Sequence, residues 1–407
     1  MTNRENALAI LRYQNYQRVP VVHFGFWPET IQIWAEQGYI DKDLAYNFDY
    51  DSAEEAQVSQ LLGFDFGWGT QVNGQAGLFP FFEREILEHY EDGRILVRDR
   101  SGSIVIEKPG TVSIPSEVGH TLEDRESWEN LVEPRLRWSP DRVDFAGLDK
   151  LASRCNVGKT QADNQEDRPR GLWCGSLYGA IRDMLGIENC AYLSVDDPAL
   201  YMEIIDRIGY LAYSLVDETL HIAEERGLEF DFGHYWEDIC FKNGPLISPR
   251  VFSELVGPWY RKISDRLAAS GIDLISLDCD GKIDDLLPIW LENGVNIMFP
   301  IEVGTWKASI KPWREKYGPQ VRGIGGMEKA VFSRDRKAVD AEIERNRQFH
   351  PIVIRYKKSS ILIAQRRHQD AFRKRSTDIR AAGLYGHAQA NQWVVRFGAG
   401  IGSGRAA

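Results

Sequence analysis

Two aspartates separated by one residue, Asp278 and Asp280, are the clearest candidates for chemistry in this chain. They close a mostly apolar stretch, residues 272–280, that reads as a β-strand. Because side chains of a strand alternate between its two faces, both carboxylates are expected on the same face. Gly281 then ends the strand before a predicted helix at 283–293. The carboxyl end of such a strand is where α/β enzymes hold catalytic groups, although an aspartate there can also simply cap the next helix.

A second group of polar residues follows another predicted strand. Residues 231–238 contain His234, Glu237 and Asp238 beside several aromatic residues. Imidazole and carboxylate groups are suited to general acid, general base or metal-ligand roles. The alternative is that His234 is a packing residue whose ring is satisfied by its aromatic neighbours.

Three weaker signals lie at further predicted strand ends. Residues 171–179 are rich in small residues, which leaves room for a ligand or simply forms a tight turn into a helix. Glu302 is either a functional carboxylate or a capping one. Gly325 and Gly326 present successive amides that suit an anion, although two glycines are a weak pattern.

The elements that must position these residues alternate between strand and helix patterns. We predict strands at 172–175, 228–236, 272–280, 295–300 and 320–324, and helices at 198–225, 248–270, 283–293, 306–316 and 335–348. This alternation predicts a parallel sheet. Polar residues at several strand ends favour a (β/α)8 TIM barrel, with a doubly wound α/β sheet as the alternative.

The first part of the chain predicts two further features. Thr2 and Glu5 have the spacing of a capping box at the start of a helix. The pattern changes to alternation over about 83–118, where Gly93 ends a hairpin turn signal. We therefore expect a small antiparallel β insertion in an otherwise α/β fold.

Composition limits the class of protein. The net charge is −11 over 407 residues, so nucleic acid is not an expected partner. No apolar run is long enough for a membrane helix, and the amino-terminal residues lack a signal-peptide core. Five scattered cysteines do not form a disulfide framework. These features predict a cytoplasmic enzyme that acts on a small molecule.

Residues 351–407 differ in character from the rest. They contain 11 Lys or Arg and 2 Asp or Glu, a net charge of +9, so the preceding 350 residues carry −20. One interpretation is a basic tail for an acidic partner. The interpretation we favour is a segment foreign to the fold, such as one translated from a shifted reading frame.

Several motifs together carry a family resemblance. Residues 3–6 with 18–21, the run from Trp236 to Pro249, and residues 278–281 with 294–296 resemble the uroporphyrinogen decarboxylase superfamily. The resemblance covers roughly residues 1–349 and implies a (β/α)8 barrel domain at 1–350. It also implies one of two activities: decarboxylation of uroporphyrinogen in porphyrin and haem biosynthesis, or methyl transfer involving corrinoid proteins or coenzyme thiols. Relatives close with a further strand, loop and helix, and 351–407 show no such sequence, so the last βα unit is in question.

The chain departs from both branches of that superfamily. Where the zinc methyltransferases have histidine and cysteine ligands, Asp278 and Asp280 stand here, which points to a harder, oxygen-rich site if a divalent metal such as zinc binds. The decarboxylases have an arginine-bearing segment after the first strand. Here that segment is 23–28, which is aromatic, whereas a substrate with many carboxylates needs cationic partners.

We therefore expect methyl transfer from a small methylated substrate to a corrinoid carried by a partner protein. Decarboxylation of a porphyrinogen and a degenerate, non-catalytic barrel are the alternatives. The predicted catalytic residues, which would also be the ligands of any metal, are Asp278, Asp280, Glu237 and His234. The predicted substrate-binding residues are His23, Trp27, Tyr178, Asp238 and Glu302.

Overall fold

The computed structural model describes residues 1–109, 115–156 and 167–348, which fall into two compact units. The first unit is formed by residues 1–69 with the described parts of 159–169 and 325–407, and the second by 70–158 and 170–324. The basic tail, and with it the question of the last βα unit, lies outside the described residues.

Fourteen strands are present in the described residues. In chain order they are β1 Val22–His23, β2 Phe66–Gly67, β3 Thr70–Val72, β4 Glu85–His89, β5 Ile95–Arg98, β6 Ser103–Glu107, β7 Ser116–His120, β8 Gly171–Gly175, β9 Phe232–Trp236, β10 Cys240–Phe241, β11 Gly244–Pro245, β12 Leu274–Asp278, β13 Ile297–Ile301 and β14 Arg322–Gly325.

The α-helices of the same residues vary from one turn to 28 residues. They are α1 Asn3–Leu11, α2 Pro28–Glu36, α3 Lys42–Tyr46, α4 Ala53–Leu62, α5 Arg125–Ser127, α6 Phe145–Asn156, α7 Gly179–Leu185, α8 Ile187–Asp196, α9 Pro198–Glu225, α10 Pro249–Val251, α11 Gly257–Ala269, α12 Leu287–Glu292, α13 Val303–Trp306, α14 Ile310–Tyr317 and α15 Arg336–Gln348. Short π-helical turns follow α5 and α10, and 3-10 turns occupy four further segments.

A six-stranded parallel sheet organises the second unit. Its order is β14-β13-β12-β9-β8-β3, so each strand lies beside the next one along the chain. A doubly wound sheet needs a point where the strand order reverses, and these six strands have none. The order agrees with barrel-type winding, although no hydrogen-bonded pair among the described strands closes the sheet.

The composition of the central strands explains their burial. In β12 and β13 all residues are buried except Asp278, which is half-buried. Strands of parallel sheets are covered on both faces and therefore read as nearly continuous apolar runs. Helix α9, which Asp197 caps and Pro198 begins, packs on β8 with one buried apolar stripe. Its bounds agree with the prediction from helical periodicity.

A four-stranded antiparallel sheet occupies residues 85–120 of the second unit. Its order is β4-β5-β6-β7, and the turn between β4 and β5 contains the predicted glycine, Gly93. One face buries Ile95, Val97 and Val105, while all five residues of β4 are exposed. The alternating pattern at about 83–118 thus predicted antiparallel strands, but it did not identify β7 at 116–120 as one of them.

The first unit contains a parallel pair, β1 with β2, and four of the helices from the start of the chain. The predicted capping box of α1 is present, with Thr2 and Glu5 bonded reciprocally. A cluster centred on Ile31 and Val58 forms an apolar core there. None of the helices in the described residues is both long and apolar enough to cross a membrane.

Candidate active site

The two faces of the parallel sheet differ in what covers them. The Tyr235 ring lies 4.8 Å from the ring of Tyr260 in α11, so this face of β9 is covered by a helix. Side chains alternate along a strand, which places Phe232, His234 and Trp236 on the opposite face. We call this opposite face the inner face.

Three residues on adjacent strands share the inner face, and two of them end their strands. Asp278 of β12 is in register with Trp236 of β9 on one side and with Phe299 of β13 on the other. Adjacent strands lie about 4.8 Å apart, so the carboxylate has an aromatic neighbour on each side. Trp236 and Asp278 are half-buried, and Phe299 is buried.

His234 lies one layer deeper on the same face. Its Nδ1 is 2.7 Å from Ser276 Oγ, and its ring centroid is 6.1 Å from that of Trp173 and 6.2 Å from that of Phe299. The residue is 4% exposed. Burial lowers the pKa of the imidazole to about 4, so the ring is neutral near pH 7. A neutral ring cannot serve as a ready proton donor there, and its contacts favour a supporting role.

Asp278 and Asp280 are both half-buried, but strand β12 ends at Asp278. The predicted alternation therefore does not extend to Asp280, and the following loop sets its position. Strand alternation therefore does not support the prediction that both aspartates share one face. Only Asp278 belongs to the inner face by strand register.

Asp238 and Glu302 hold the loop that follows β12. The amide of Asp280 donates to Asp238 Oδ1 at 3.0 Å, and the amide of Gly281 donates to Glu302 Oε2 at 2.8 Å. Thr305 also donates to Glu302. The sequence predicts that both carboxylates bind substrate. In the structure their contacts indicate that they fix the position of this loop.

Glu237 is fully buried and bonded to a helix start. Its carboxylate accepts from the amides of Leu177, Tyr178 and Gly179 at 2.7, 2.9 and 2.6 Å, and from the hydroxyl of Tyr260. Burial raises the pKa of Glu237, while these donors act against the rise. The carboxylate points to the helix-covered face, so its contacts favour positioning of the segment after β8 over direct catalysis.

Tyr178 was expected to line a pocket, yet its side chain is buried among helices. Its hydroxyl lies 2.8 Å from the hydroxyl of Tyr201 in α9, and its ring is 6.4 Å from that of Phe252. Burial raises the pKa of this phenol, so it remains protonated. These contacts indicate a packing residue.

Arg182 of α7 lies beside the strand ends and was not predicted from the sequence. Its guanidinium donates to the Asp238 carbonyl at 2.9 Å and to Asp183 Oδ1 at 2.7 Å, and lies 5.9 Å from the centre of the Trp236 ring. Burial opposes its charge, but Asp183 and Asp238 outweigh burial and raise its pKa. An arginine inside a helix carries no local signal of this position, because only the folding of α7 over β9 creates it.

His23 and Trp27 belong to the first unit. His23 is 4% exposed; its Nδ1 accepts from the Gly25 amide at 3.1 Å, and its Nε2 lies 2.7 Å from Ser59 Oγ. Nε2 therefore carries the hydrogen and donates to Ser59, which itself donates to the Glu55 carbonyl. This arrangement cannot accept a proton from Ser59, so the pair is not a nucleophile and its base. Burial lowers the pKa of His23 to about 3.

Trp27 precedes α2 as its amino-terminal cap residue and is half-buried. Its indole nitrogen is buried and has no hydrogen-bond partner among the described residues.

The proposed donor set does not fit a metal ion. Over the described ranges, no group of three or more His, Cys, Asp or Glu is arranged to hold one. The Glu237 carboxylate accepts hydrogen bonds from three amides and two hydroxyls, while His234 Nδ1 is bonded to Ser276. The four residues named from the sequence therefore do not converge on one centre.

Comparison with known proteins adds information on the fold. No protein-family model matches this chain, and no curated protein matches its sequence. Among solved structures, a methyltransferase from Methanosarcina mazei is similar, with a TM-score of 0.52 and 14% sequence identity, over 90% of this chain and 99% of that protein. At this identity the likeness shows a shared fold and leaves the activity to be argued from the residues.

Proposed function

We propose that this chain transfers a methyl group from a small methylated substrate to a corrinoid carried by a partner protein. We further propose that residues 1–350 form a (β/α)8 barrel of the uroporphyrinogen decarboxylase superfamily. The strand order supports this winding, as does the similarity to a methyltransferase over 90% of the chain. No specific observation among the described residues favours either alternative, porphyrinogen decarboxylation or a non-catalytic barrel.

The observation that carries the proposal is the placement of Asp278. This half-buried carboxylate lies between Trp236 and Phe299 at the carboxyl ends of parallel strands. Ligands of parallel α/β proteins bind at this end of the sheet. A methyl group has no polar atom to grip, so aromatic and apolar surfaces must orient it, and one charged group can fix the rest of the substrate.

In this proposal the residues named from the sequence have different tasks. Asp278 contacts the substrate and supplies the fixed negative charge of the site. His234, neutral and bonded to Ser276, forms the floor below it. Asp280 belongs to the loop that Asp238 and Glu302 hold in place. Glu237 and Tyr260 anchor the segment after β8.

Methyl transfer can be tested with free cob(I)alamin as the acceptor. We expect the purified chain to accelerate alkylation of cob(I)alamin, followed by its absorbance, with at least one donor among methyl ethers, methylamines, methyl thioethers and methylated onium ions. Asp278→Asn should lower the rate at least tenfold, since about 1.4 kcal/mol of transition-state stabilisation corresponds to tenfold. Asp265→Asn, on an exposed face of α11, should leave the rate unchanged.

Two results would contradict the proposal. One is the absence of acceleration with every donor class, tested also with corrinoid proteins as acceptors. The other is equal activity of Asp278→Asn and the unmodified chain. Consumption of uroporphyrinogen in a parallel assay would support the decarboxylase alternative instead.

A further inference from the structure

The inner face carries an arrangement that goes beyond a general carboxylate site. Trp236, Asp278 and Phe299 are register neighbours on three adjacent strands. Trp173 of β8 is in register with His234, and their ring centroids are 6.1 Å apart. The carboxylate thus has an aromatic neighbour on β9 and another on β13, and a third aromatic residue, on β8, lies beside the histidine one layer deeper.

The floor of this arrangement carries no charge of its own near neutral pH. The ring of His234 is buried, bonded to Ser276 Oγ, and neutral because burial disfavours its cationic form. A neutral floor does not repel a cation, and among the described residues that are in register here the charged side chain is that of Asp278. The net charge of this arrangement, which consists of Trp173, His234, Trp236, Asp278 and Phe299, is therefore negative.

The positive group at the edge of this arrangement is already compensated. The Arg182 guanidinium lies 5.9 Å from the centre of the Trp236 ring, near the outer limit for a cation–π contact. It donates to the Asp183 carboxylate at 2.7 Å and to the carbonyl of Asp238 at 2.9 Å. Its charge is therefore balanced by groups outside the inner face.

We propose that the inner face binds a methylated onium group, a quaternary ammonium or a tertiary sulfonium ion, as the methyl donor. Such groups carry charge but no N–H or O–H donor, so hydrogen bonds cannot recognise them. Aromatic rings recognise them through cation–π contacts, and a nearby carboxylate compensates the charge. This inference rests on the proposed methyl-transfer function and names its substrate class.

An onium substrate also simplifies the chemistry asked of the chain. The bond between the methyl carbon and the nitrogen or sulfur breaks, and its electron pair stays on the heteroatom. The leaving amine or sulfide is thus neutral without protonation. The methyl group leaves as the electrophile, and the reduced corrinoid co-substrate supplies the electron pair of the new bond to carbon. The chain has to hold the cation and exclude water, and Asp278 acts only through its charge.

Binding can be measured without any methyl transfer, by isothermal titration calorimetry of the full chain. The probes are choline and its neutral carbon isostere, 3,3-dimethylbutan-1-ol. We expect choline to bind at least about tenfold more tightly, the range of a cation–π contact in a desolvated site. Trp236→Leu and Asp278→Asn should each weaken choline binding about tenfold, and Trp236→Phe should retain most of it. Trp259→Leu and Asp265→Asn, both on α11, are the matched controls.

The proposal is overturned if choline and the neutral isostere bind equally, or if neither binds at 100-fold excess over the protein. It is also overturned if Trp236→Leu and Trp236→Phe, both folded by circular dichroism, bind choline alike. The cob(I)alamin assay separates this inference from the proposed function. Transfer from a neutral methyl ether without onium binding removes the inference and keeps the function. Specific onium binding without transfer to any corrinoid keeps the binding site and removes the function.

Discussion

Glu237 shows how one position along a strand changes the task of a residue. His234 and Trp236 lie on the inner face, whereas Tyr235 and Glu237 face the helices, as the contacts with Tyr260 show. The sequence held this signal, because an odd separation from His234 predicts the opposite face of a strand. The two side chains accordingly have different partners: His234 contacts Ser276, and Glu237 contacts Tyr260.

Replacing Glu237 tests its anchoring role. In Glu237→Gln an amide NH₂ meets the amides of Leu177, Tyr178 and Gly179, so at least one donor loses its acceptor. We expect the free energy of unfolding to fall by about 2–4 kcal/mol, measured by urea denaturation. Glu292→Gln, exposed at the end of α12, is the control. Unchanged stability with loss of methyl transfer would instead indicate a catalytic role.

Two of the buried histidines, His23 and His234, predict how stability depends on pH. The pKa of His234 is lowered to about 4 and that of His23 to about 3. Below the unfolded-state pKa of about 6.5, the unfolded chain binds protons that the folded chain does not. Stability is therefore expected to fall as the pH drops from about 6.5 towards 4, by up to about 1.4 kcal/mol per pH unit for each histidine. Glu237, whose pKa is raised, acts with the opposite sign.

His234→Gln removes one of these two contributions. Urea midpoints measured between pH 7.5 and 4.5 should fall less steeply than in the unmodified chain. His221→Gln, at an exposed site, should leave the slope unchanged. An equal slope in His234→Gln and the unmodified chain would mean that His234 is protonated in the folded state.

The conformation of the loop after β12 depends on contacts with residues that follow two other strands. Its amides at Asp280 and Gly281 donate to Asp238 and Glu302, which follow β9 and β13. Gly281 has a φ of +88°, and a Cβ there would lie 2.3 Å from the Cys240 carbonyl oxygen. The loop is thus held by residues that follow β9 and β13, the two strands that flank β12. The packing leaves no room for a side chain at this glycine.

Gly281→Ala tests that arrangement, and Gly271→Ala provides the matched control. Both glycines have positive φ, but a Cβ at Gly271 meets nothing within 4 Å. We expect Gly271→Ala to cost about 1 kcal/mol for its backbone conformation, and Gly281→Ala to cost about 2–4 kcal/mol because of the added clash. Urea denaturation gives both values, and equal costs would contradict the steric argument.

Helix bounds were predictable where local signals were complete. Helix α9 begins after the Asp197 cap with Pro198 at its first position, and periodicity carried it to Glu225. The helix expected at 248–270 is interrupted by a π-helical turn at Phe252–Val256, and the Ser248 side chain makes no capping bond. The helix expected from 283 begins only at Leu287, after a turn at 284–286.

At the scale of the molecule, Arg142 joins distant segments of the second unit. Its buried guanidinium donates to the carbonyls of Arg137, Gln75, Gly77, Phe79 and Arg135. Burial lowers its pKa to about 10, which still leaves it charged near pH 7. One cation thus satisfies carbonyls of two loops that are about 60 residues apart in the chain.

Arg142→Lys should destabilise the chain although the charge is kept. An ammonium has three donors and cannot reach five carbonyls arranged around a planar guanidinium. We expect the free energy of unfolding to fall by about 2–4 kcal/mol in urea denaturation. Arg250→Lys, at an exposed ion pair, should have little effect. A loss as small as that of the control would mean that the carbonyls are satisfied in another way.

The sequence by itself determined the alternation of strands and helices, the antiparallel segment near residue 95 and the placement of acids and aromatics at strand ends. These properties are local, because periodicity, capping and turn chemistry act over a few residues. Only the tertiary structure decided that Asp278 lies between Trp236 and Phe299, that Glu237 faces helices, and that Arg182 reaches Trp236. Strand register and helix packing join residues 21 to 54 positions apart, and no short pattern in the chain encodes which of them will meet.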